Sequence, residues 1–202
     1  MLYHVGIDLG GTNIVAGVVN ESFEIISRAK LPTARPRSAR EILFDCARAV
    51  RQAVESAGLS MDVIEAVGIG SPGTIDSDRG VIEYANNLDF YDVPAADILG
   101  ELLSRPVHAE NDANAAAYGE YLAGSAKGAK NAVCITLGTG VGGGVIIDGR
   151  IYSGFNYAGA ELGHMVIEVD GPECTCGRRG CFEVFSSATG LVRMTREAMK
   201  AH

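Results

Sequence analysis

The chain has 202 residues, 47% of them apolar and 21% charged, with 17 basic against 25 acidic side chains and a formal net charge of −8. That composition allows a sizeable core, in one large domain or two small ones, and argues against wholesale disorder. No Lys/Arg cluster interrupts the negative field, which disfavours a nucleic-acid or anionic-membrane surface, and no apolar run reaches bilayer-spanning length. Asp8 arrives with no basic segment and long apolar segment before it, so no signal peptide is predicted. Cys46 and Cys134 lie in apolar stretches and read as buried thiols. Together with a later Cys/His cluster they point to a reducing, cytoplasmic setting rather than a disulfide framework.

His4 to Asp8 reads as a buried strand, Gly10-Gly11-Thr12 breaks it, Asn13 to Val19 resumes β-rich character, and Glu24 to Ala29 gives a third strand. The two glycines let backbone approach a ligand closely and aim N–H groups at phosphate oxygens. Thr12 adds a hydroxyl, and Asp8 can hold Mg²⁺ directly or through water. An ordinary tight turn beside an incidental Asp accounts for the same residues equally well.

Ser38 followed by Glu41 has capping-box spacing. Ile42, Leu43, Cys46, Ala49, Val50, Ala53 and Val54 then recur at helical period up to a stop at Gly58. Ala66 to Gly70 is a strand, Ser71 to Thr74 a sharp turn, Ile75 to Gly80 a second turn, and Val81-Ile82 resumes strand character. Asn86 and Asn87 carry amides that either close a turn or read sugar hydroxyls. A helix is predicted over Asp92 to Leu103. Val107 to Glu110 is a strand running into Asn111-Asp112, after which Ala113 to Ala123 reads as a helix ending at Gly124. At that junction Asp112 or Asn111 can simply cap the helix. Alternatively Asp112, kept ionised by the helix dipole, can take a proton from a hydroxyl as it attacks phosphorus.

Ala132 to Leu137 is a strand, and the glycines from Gly138 to Gly144 satisfy G-x-G-x-x-G. A dinucleotide-binding loop should open a helix. Here a β-branched run and an Asp148-Gly149 hairpin turn follow, so that reading is rejected, and no P-loop sequence occurs anywhere. What remains is a second strand, glycine turn, strand unit laid out like Asp8 to Val19. Two such hairpins facing across a cleft would clamp a polyphosphate.

Further on, His164, Cys174, Cys176 and Cys181 are separated by nine, one and four residues. Three thiolates and an imidazole complete a tetrahedral structural Zn²⁺ site with no open position; unrelated thiols or a redox pair are the other readings. A metal would brace a loop too short to have its own core and set the flanking Glu161 and Glu183 on a common support. His164 could hold metal through one ring nitrogen and donate to a ligand through the other.

The segments DLGGTN (8–13), GSPG (70–73), NNL (86–88), ENDANAAA (110–117), LGTGVGGG (137–144), AGAELGH (158–164) and CTCGRRGCFE (174–183) together resemble the ROK family, and within it the bacterial glucokinases. The resemblance implies an α/β, actin-like ATPase (ribonuclease H-like) sugar-kinase fold. It comprises two lobes with ATP and sugar in the cleft, the first over 1–115 and the second over 116–202, the latter truncated because family kinases continue past this point. It implies Asp112 as general base toward a hexose 6-hydroxyl. Gly73, Asn87, Asn111, Glu161, His164 and Glu183 match sugar-contacting positions, although Asn86 leaves the Asn87 alignment ambiguous by one. Asp8, Gly10, Gly11, Thr12, Thr139 and Gly140 match the phosphate and Mg²⁺ positions, and His164, Cys174, Cys176 and Cys181 the zinc ligands. Phe90 stands where the family often has Trp. The expectation is an ATP-dependent kinase of glucose, N-acetylmannosamine or another hexose, cytoplasmic and homo-oligomeric. A catalytically silent sugar-binding module is the alternative. A sugar-responsive repressor is disfavoured by the short stretch before Asp8 and by the net charge.

Overall fold

The computed structural model describes residues 2–201, and the chain falls into two compact units whose boundary lies between Ala115 and Ala116. In chain order the first unit contains β1 (Tyr3–Leu9), β2 (Asn13–Asn20), β3 (Ile25–Pro32), α1 (Ala39–Ser56), β4 (Ile64–Ser71), β5 (Thr74–Asp76), β6 (Val81–Ala85), β7 (Phe90–Val93), α2 (Ala95–Leu103) and β8 (Val107–Asn111). Helix α3 (Asp112–Ala123) begins in it. The main sheet has the order β3-β2-β1-β4-β8. β1, β2 and β3 form an antiparallel meander, and β4 and β8 extend it in parallel with β1. A small antiparallel sheet of β5, β6 and β7 stands beside it.

Strict alternation decides which face of the main sheet is buried. Val5, Ile7 and Leu9 of β1, Ile14, Ala16 and Val18 of β2, and Val67 and Ile69 of β4 all enter one core. Helix α1 covers it with Ile42, Leu43, Cys46, Ala49, Val50 and Ala53. The helix starts where its capping box predicts. The Ser38 hydroxyl accepts the Glu41 N–H, and the Glu41 carboxylate accepts the Ser38 N–H at 3.0 Å. The other face of β1, β4 and β8 is sparse, with Asp8, Gly70 and Glu110 aligned as direct neighbours across the strands.

Two sequence expectations need correction here. The stretch from Asp92 is not helical at once: Phe90 to Val93 forms β7, and α2 begins only at Ala95, after Pro94. A residue before proline is pushed toward extended backbone, and proline itself suits a helix start because its missing N–H would have had no helical partner. Likewise Ile75 and Asp76 belong to β5, and the turn is confined to residues 77–80. Both buried side chains are held there by tertiary packing that the polar sequence around them conceals.

The second unit holds β9 (Ala132–Leu137), β10 (Val141–Ile147) and β11 (Arg150–Ile151) in an antiparallel sheet of order β11-β10-β9. A loop-rich segment follows, then α4 (Phe182–Ser186) and α5 (Ala188–Ala201). Residues 195–201 form the second half of α5, and His202 lies outside the described residues. Cys46 is fully buried and its thiol is pushed up to about 12 by desolvation, whereas Cys134 is only half-buried.

Candidate functional site

The residues singled out by sequence divide between the two units. In the first, the turn between β1 and β2 is tied down through its carbonyls. The Gly10 carbonyl accepts the Thr33 hydroxyl at 2.7 Å, the Thr12 carbonyl accepts the Thr33 N–H at 2.9 Å, and the Gly11 carbonyl accepts Arg35 Nε at 2.7 Å. Gly10 N–H closes the turn on Asn13 O at 2.9 Å. The Arg35 guanidinium also donates to the Asn87 carbonyl, so one side chain links the glycine turn to the Asn86-Asn87 turn. The Asn86 side chain accepts the Tyr84 hydroxyl at 3.2 Å, so its carbonyl oxygen already has a protein partner.

Gly73 is a position that only glycine fits. Its φ is +100°, and a Cβ there would sit 2.0 Å from the Tyr84 carbonyl oxygen. Its own carbonyl accepts Asn111 Nδ2 at 3.0 Å. Asn111 is also the helix cap, its Oδ1 accepting the N–H groups of Ala113 and Asn114 at 3.0 and 3.1 Å. Asp112, the first residue of α3, takes the Ala113 N–H at 2.8 Å on Oδ1. Its accessible surface is substantial, yet the groups around it remove enough water to raise its pKa. The Ala113 hydrogen bond opposes this, and the charge of Asp8 adds to the rise. Asp8 is raised too, by desolvation. Glu110, whose role sequence reading missed, braces the junction by accepting the Asn111 N–H, Asn114 Nδ2 and the Ser77 hydroxyl.

In the second unit the glycines of LGTGVGGG divide into two jobs. Gly138 and Gly140 make the turn, Gly138 N–H donating to Gly140 O at 3.0 Å. Gly142 to Gly144 lie inside β10. A Cβ on Gly143 would meet Leu162 Cγ at 2.6 Å and the Ala160 carbonyl at 2.7 Å, and one on Gly163 would meet the Val141 carbonyl at 2.1 Å. Those glycines let the 160–164 segment lie on the strand. There Leu162–His164 forms a single 3₁₀ turn that brings Glu161 and His164 one turn apart, the His164 N–H donating to the Glu161 carbonyl. Glu183, in the first turn of α4, accepts the Val141 N–H on Oε2 at 2.9 Å, and a Cβ on Gly140 would come within 2.4 Å of the same oxygen. Thr139 contributes its carbonyl to the Thr189 hydroxyl at 2.7 Å.

His164, Cys174, Cys176 and Cys181 converge so that their ligand atoms all lie within 4.8 Å of one another. A Zn²⁺ tetrahedron with Zn–S of about 2.3 Å and Zn–N of about 2.0 Å has edges of roughly 3.8 Å between sulfurs and roughly 3.5 Å from sulfur to nitrogen. Cys176 Sγ lies 3.7 Å from Cys181 Sγ, and Cys174 Sγ lies 3.6 Å from His164 Nδ1. The donor set and its spacing therefore fit the metal, with Nδ1 the metal-facing nitrogen. The knuckle is built by Gly177 at φ +85° and Gly180 at φ +68°. Desolvation works against ionising Cys176, but hydrogen bonds from the Arg178 backbone and side chain and from Cys174 and Cys181 bring its thiol down to about 6.

A meander extended by two parallel strands, with a glycine hairpin in each unit, defines the actin-like ATPase class of sugar-kinase folds. The ROK family model, described as "ROK family", matches residues 4–202, and the chain belongs to that family. A glucokinase of Streptomyces coelicolor is 41% identical over 197 residues, covering 98% of this chain and 60% of the relative. A xylose repressor of Bacillus subtilis is 32% identical over 95% of this chain and 49% of its own length. Among solved structures, a ROK family glucokinase from Streptomyces griseus in complex with glucose and AMPPNP is similar at a TM-score of 0.85. It is 41% identical over 98% of this chain and 62% of that one. The chain thus spans about 60% of the length of the glucokinases it matches.

Proposed function

We propose that this chain carries the chemistry of an ATP-dependent hexose kinase, glucose being the favoured substrate, with Asp112 as its general base. The observation that supports this most is the division of labour at the β8–α3 junction. Asn111 caps the helix, which leaves Asp112 beside Asp8 with a raised pKa, closer to what a base working near neutrality needs. In the reaction, the Asp112 carboxylate takes the proton of the sugar 6-hydroxyl. The freed oxygen attacks the γ-phosphorus in line, and the bond from that phosphorus to the β-phosphate bridging oxygen breaks, releasing ADP.

Asn87, Asn111 and Gly73 in the first unit, and Glu161, His164 and Glu183 in the second, read the sugar hydroxyls in this proposal. Gly11 and Thr12, with Thr139 and Gly140, bind phosphate oxygens, while Gly10, whose N–H goes to Asn13 O, closes the first turn. Gly138 and Val141 already spend their N–H groups within the protein, so the turn's contribution falls to Thr139 and Gly140. Asp8 suits a Mg²⁺ ion that neutralises phosphate charge. His164, Cys174, Cys176 and Cys181 hold a structural Zn²⁺. The protein would work in the cytoplasm as a homodimer or larger homo-oligomer. No helix among the described residues is long and apolar enough to cross a membrane.

The similarity to glucokinases exceeds that to a sugar-regulated repressor, 41% against 32% identity, which favours turnover over regulation. A coupled ADP-release assay with glucose, mannose, N-acetylmannosamine and fructose tests the reading. Glucose should give the highest kcat/KM. Asp112→Asn should lower kcat by roughly 10²–10⁴-fold, with glucose still bound in calorimetry. Retained turnover in that variant removes Asp112 as base. Folded, glucose-binding wild type with no turnover on any of the four sugars leaves only the sugar-binding module.

A further inference from the structure

The two glycine turns lie in different units and share no sequence beyond Gly and Thr, yet they are held in the same way. In each, the first glycine closes the turn with its N–H: Gly10 on Asn13 O at 2.9 Å, Gly138 on Gly140 O at 3.0 Å. In each, a threonine from a later segment drives its hydroxyl into a turn carbonyl at 2.7 Å, Thr33 onto Gly10 and Thr189 onto Thr139. In each, a backbone N–H of the same later segment takes a further turn carbonyl at 2.9 Å, Thr33 N–H onto Thr12 and Ala188 N–H onto Gly138.

We propose that Thr33 and Thr189 are a matched pair of positioning residues, each hydroxyl drawing a glycine-turn carbonyl back into the protein so that the neighbouring N–H groups stay available to an anion. A turn whose carbonyls are free can rotate a peptide and present oxygen to the ligand, which repels phosphate. A turn whose carbonyls are bonded from behind cannot do so without breaking those bonds. Thr33 is fully buried, so its hydroxyl has no water to replace the Gly10 carbonyl.

Thr189 is exposed, but its hydroxyl belongs to a directed chain. Gly190 N–H donates to the buried Ser187 hydroxyl at 3.0 Å, and the Ser187 and Thr189 hydroxyls lie 3.0 Å apart. Since the Thr189 proton is committed to the Thr139 carbonyl, Ser187 must donate to Thr189, and the relay runs one way from the α5 N-terminus to the turn. The relay and the Val141–Glu183 bond grip the second turn from one short segment, Glu183 to Gly190.

This inference rests on the reading of these turns as phosphate sites, and its test separates the two. Amide hydrogen exchange of 10–13 and 138–141 is followed in Thr33→Val and Thr189→Val, with Thr33→Ser and Thr189→Ser as hydroxyl-retaining controls. Exchange in the affected turn should quicken roughly five- to tenfold in Thr33→Val and roughly two- to fivefold in the more exposed Thr189→Val, and each serine should restore it. Mg-ADP affinity by calorimetry should weaken in step with each Val variant, with glucose affinity unchanged. Unchanged exchange in the Val variants, or no rescue by serine, overturns the proposal. Faster exchange with undiminished Mg-ADP affinity upholds the clamp and removes the phosphate reading. Should a valine fail to fold, alanine replaces it in the same comparison.

Discussion

Asn111 and Asp112 are adjacent, both polar, and both plausible helix caps from sequence. Only geometry separates them: the Asn111 side chain takes two helix N–H groups and gives its amide to Gly73, while Asp112 keeps a carboxylate whose charge is disfavoured by desolvation and by Asp8. A base must be ionised to work, so activity should fall as pH drops through the raised Asp112 pKa, at a higher pH than an ordinary Asp would give. Asp8→Asn removes the repelling charge and should shift the acid limb of kcat/KM to lower pH, whatever it does to the maximum; an unmoved limb in the residual activity would break the coupling. The sign for stability runs the other way from a salt-bridged carboxylate. A carboxyl whose folded pKa is raised binds more protons folded than unfolded, so stability is lost as pH rises from its ordinary value through the raised one. Asp112→Asn should therefore melt somewhat higher than wild type at neutral pH, a result that thermal scans at pH 4 and pH 7 would check.

Elements differ in how they are stabilised. The first unit has a long list of fully buried aliphatic side chains from β1, β2, β4 and α1. Among described residues the second buries little beyond Ala117, Val141, Ile146, Cys174 and Cys181. Two of those five are thiols of the His/Cys cluster, so the Zn²⁺ proposed above would replace part of an apolar core in the second unit. Stripping metal with a strong chelator should split thermal unfolding into two transitions, the lower one moving with metal and the upper one unchanged; a single unsplit transition would count against this.

The elements with clear periodicity, β1, β2 and α1, were legible because burial repeats at their own period, whereas the first half of β10 was read as part of a glycine loop. The early strand at Phe90 and the late start of α2 were not, since a proline and tertiary packing decided them. The convergence of His164, Cys174, Cys176 and Cys181 was legible from spacing alone, because few folds need such a set within so short a stretch. Thr33, Arg35, Glu110, Ser187 and Thr189 were invisible for the opposite reason. Each acts through single hydrogen bonds, to backbone groups distant in sequence for Thr33, Arg35 and Thr189, through one hydroxyl for Ser187, and on Asn111, Asn114 and Ser77 for Glu110, and no local pattern announces that.

At the scale of the whole molecule, the sheet of the second unit is notable for what it exposes. Val133, Ile135 and Leu137 alternate along β9, the edge of that sheet, with 63%, 49% and 67% of their surface accessible. An edge strand with an uncovered apolar row invites pairing. The homo-oligomer proposed above is expected to use this row when the 202-residue chain is studied alone. Ile135→Lys should weaken self-association by at least about tenfold in sedimentation velocity, given the transfer energy of one aliphatic side chain. Oligomers of unchanged strength would place the interface elsewhere.

Gly143 and Gly163 face each other's segments at distances where neither could carry even a methyl group. One belongs to the glycine turn's own strand and the other to the turn that supplies His164. A drift in either sequence would therefore be punished through the other. The second glycine motif and the His164 turn, about twenty residues apart, are in effect one heritable unit: they must be exchanged together in any chimera of related chains, and a swap that moves only one should fail to fold.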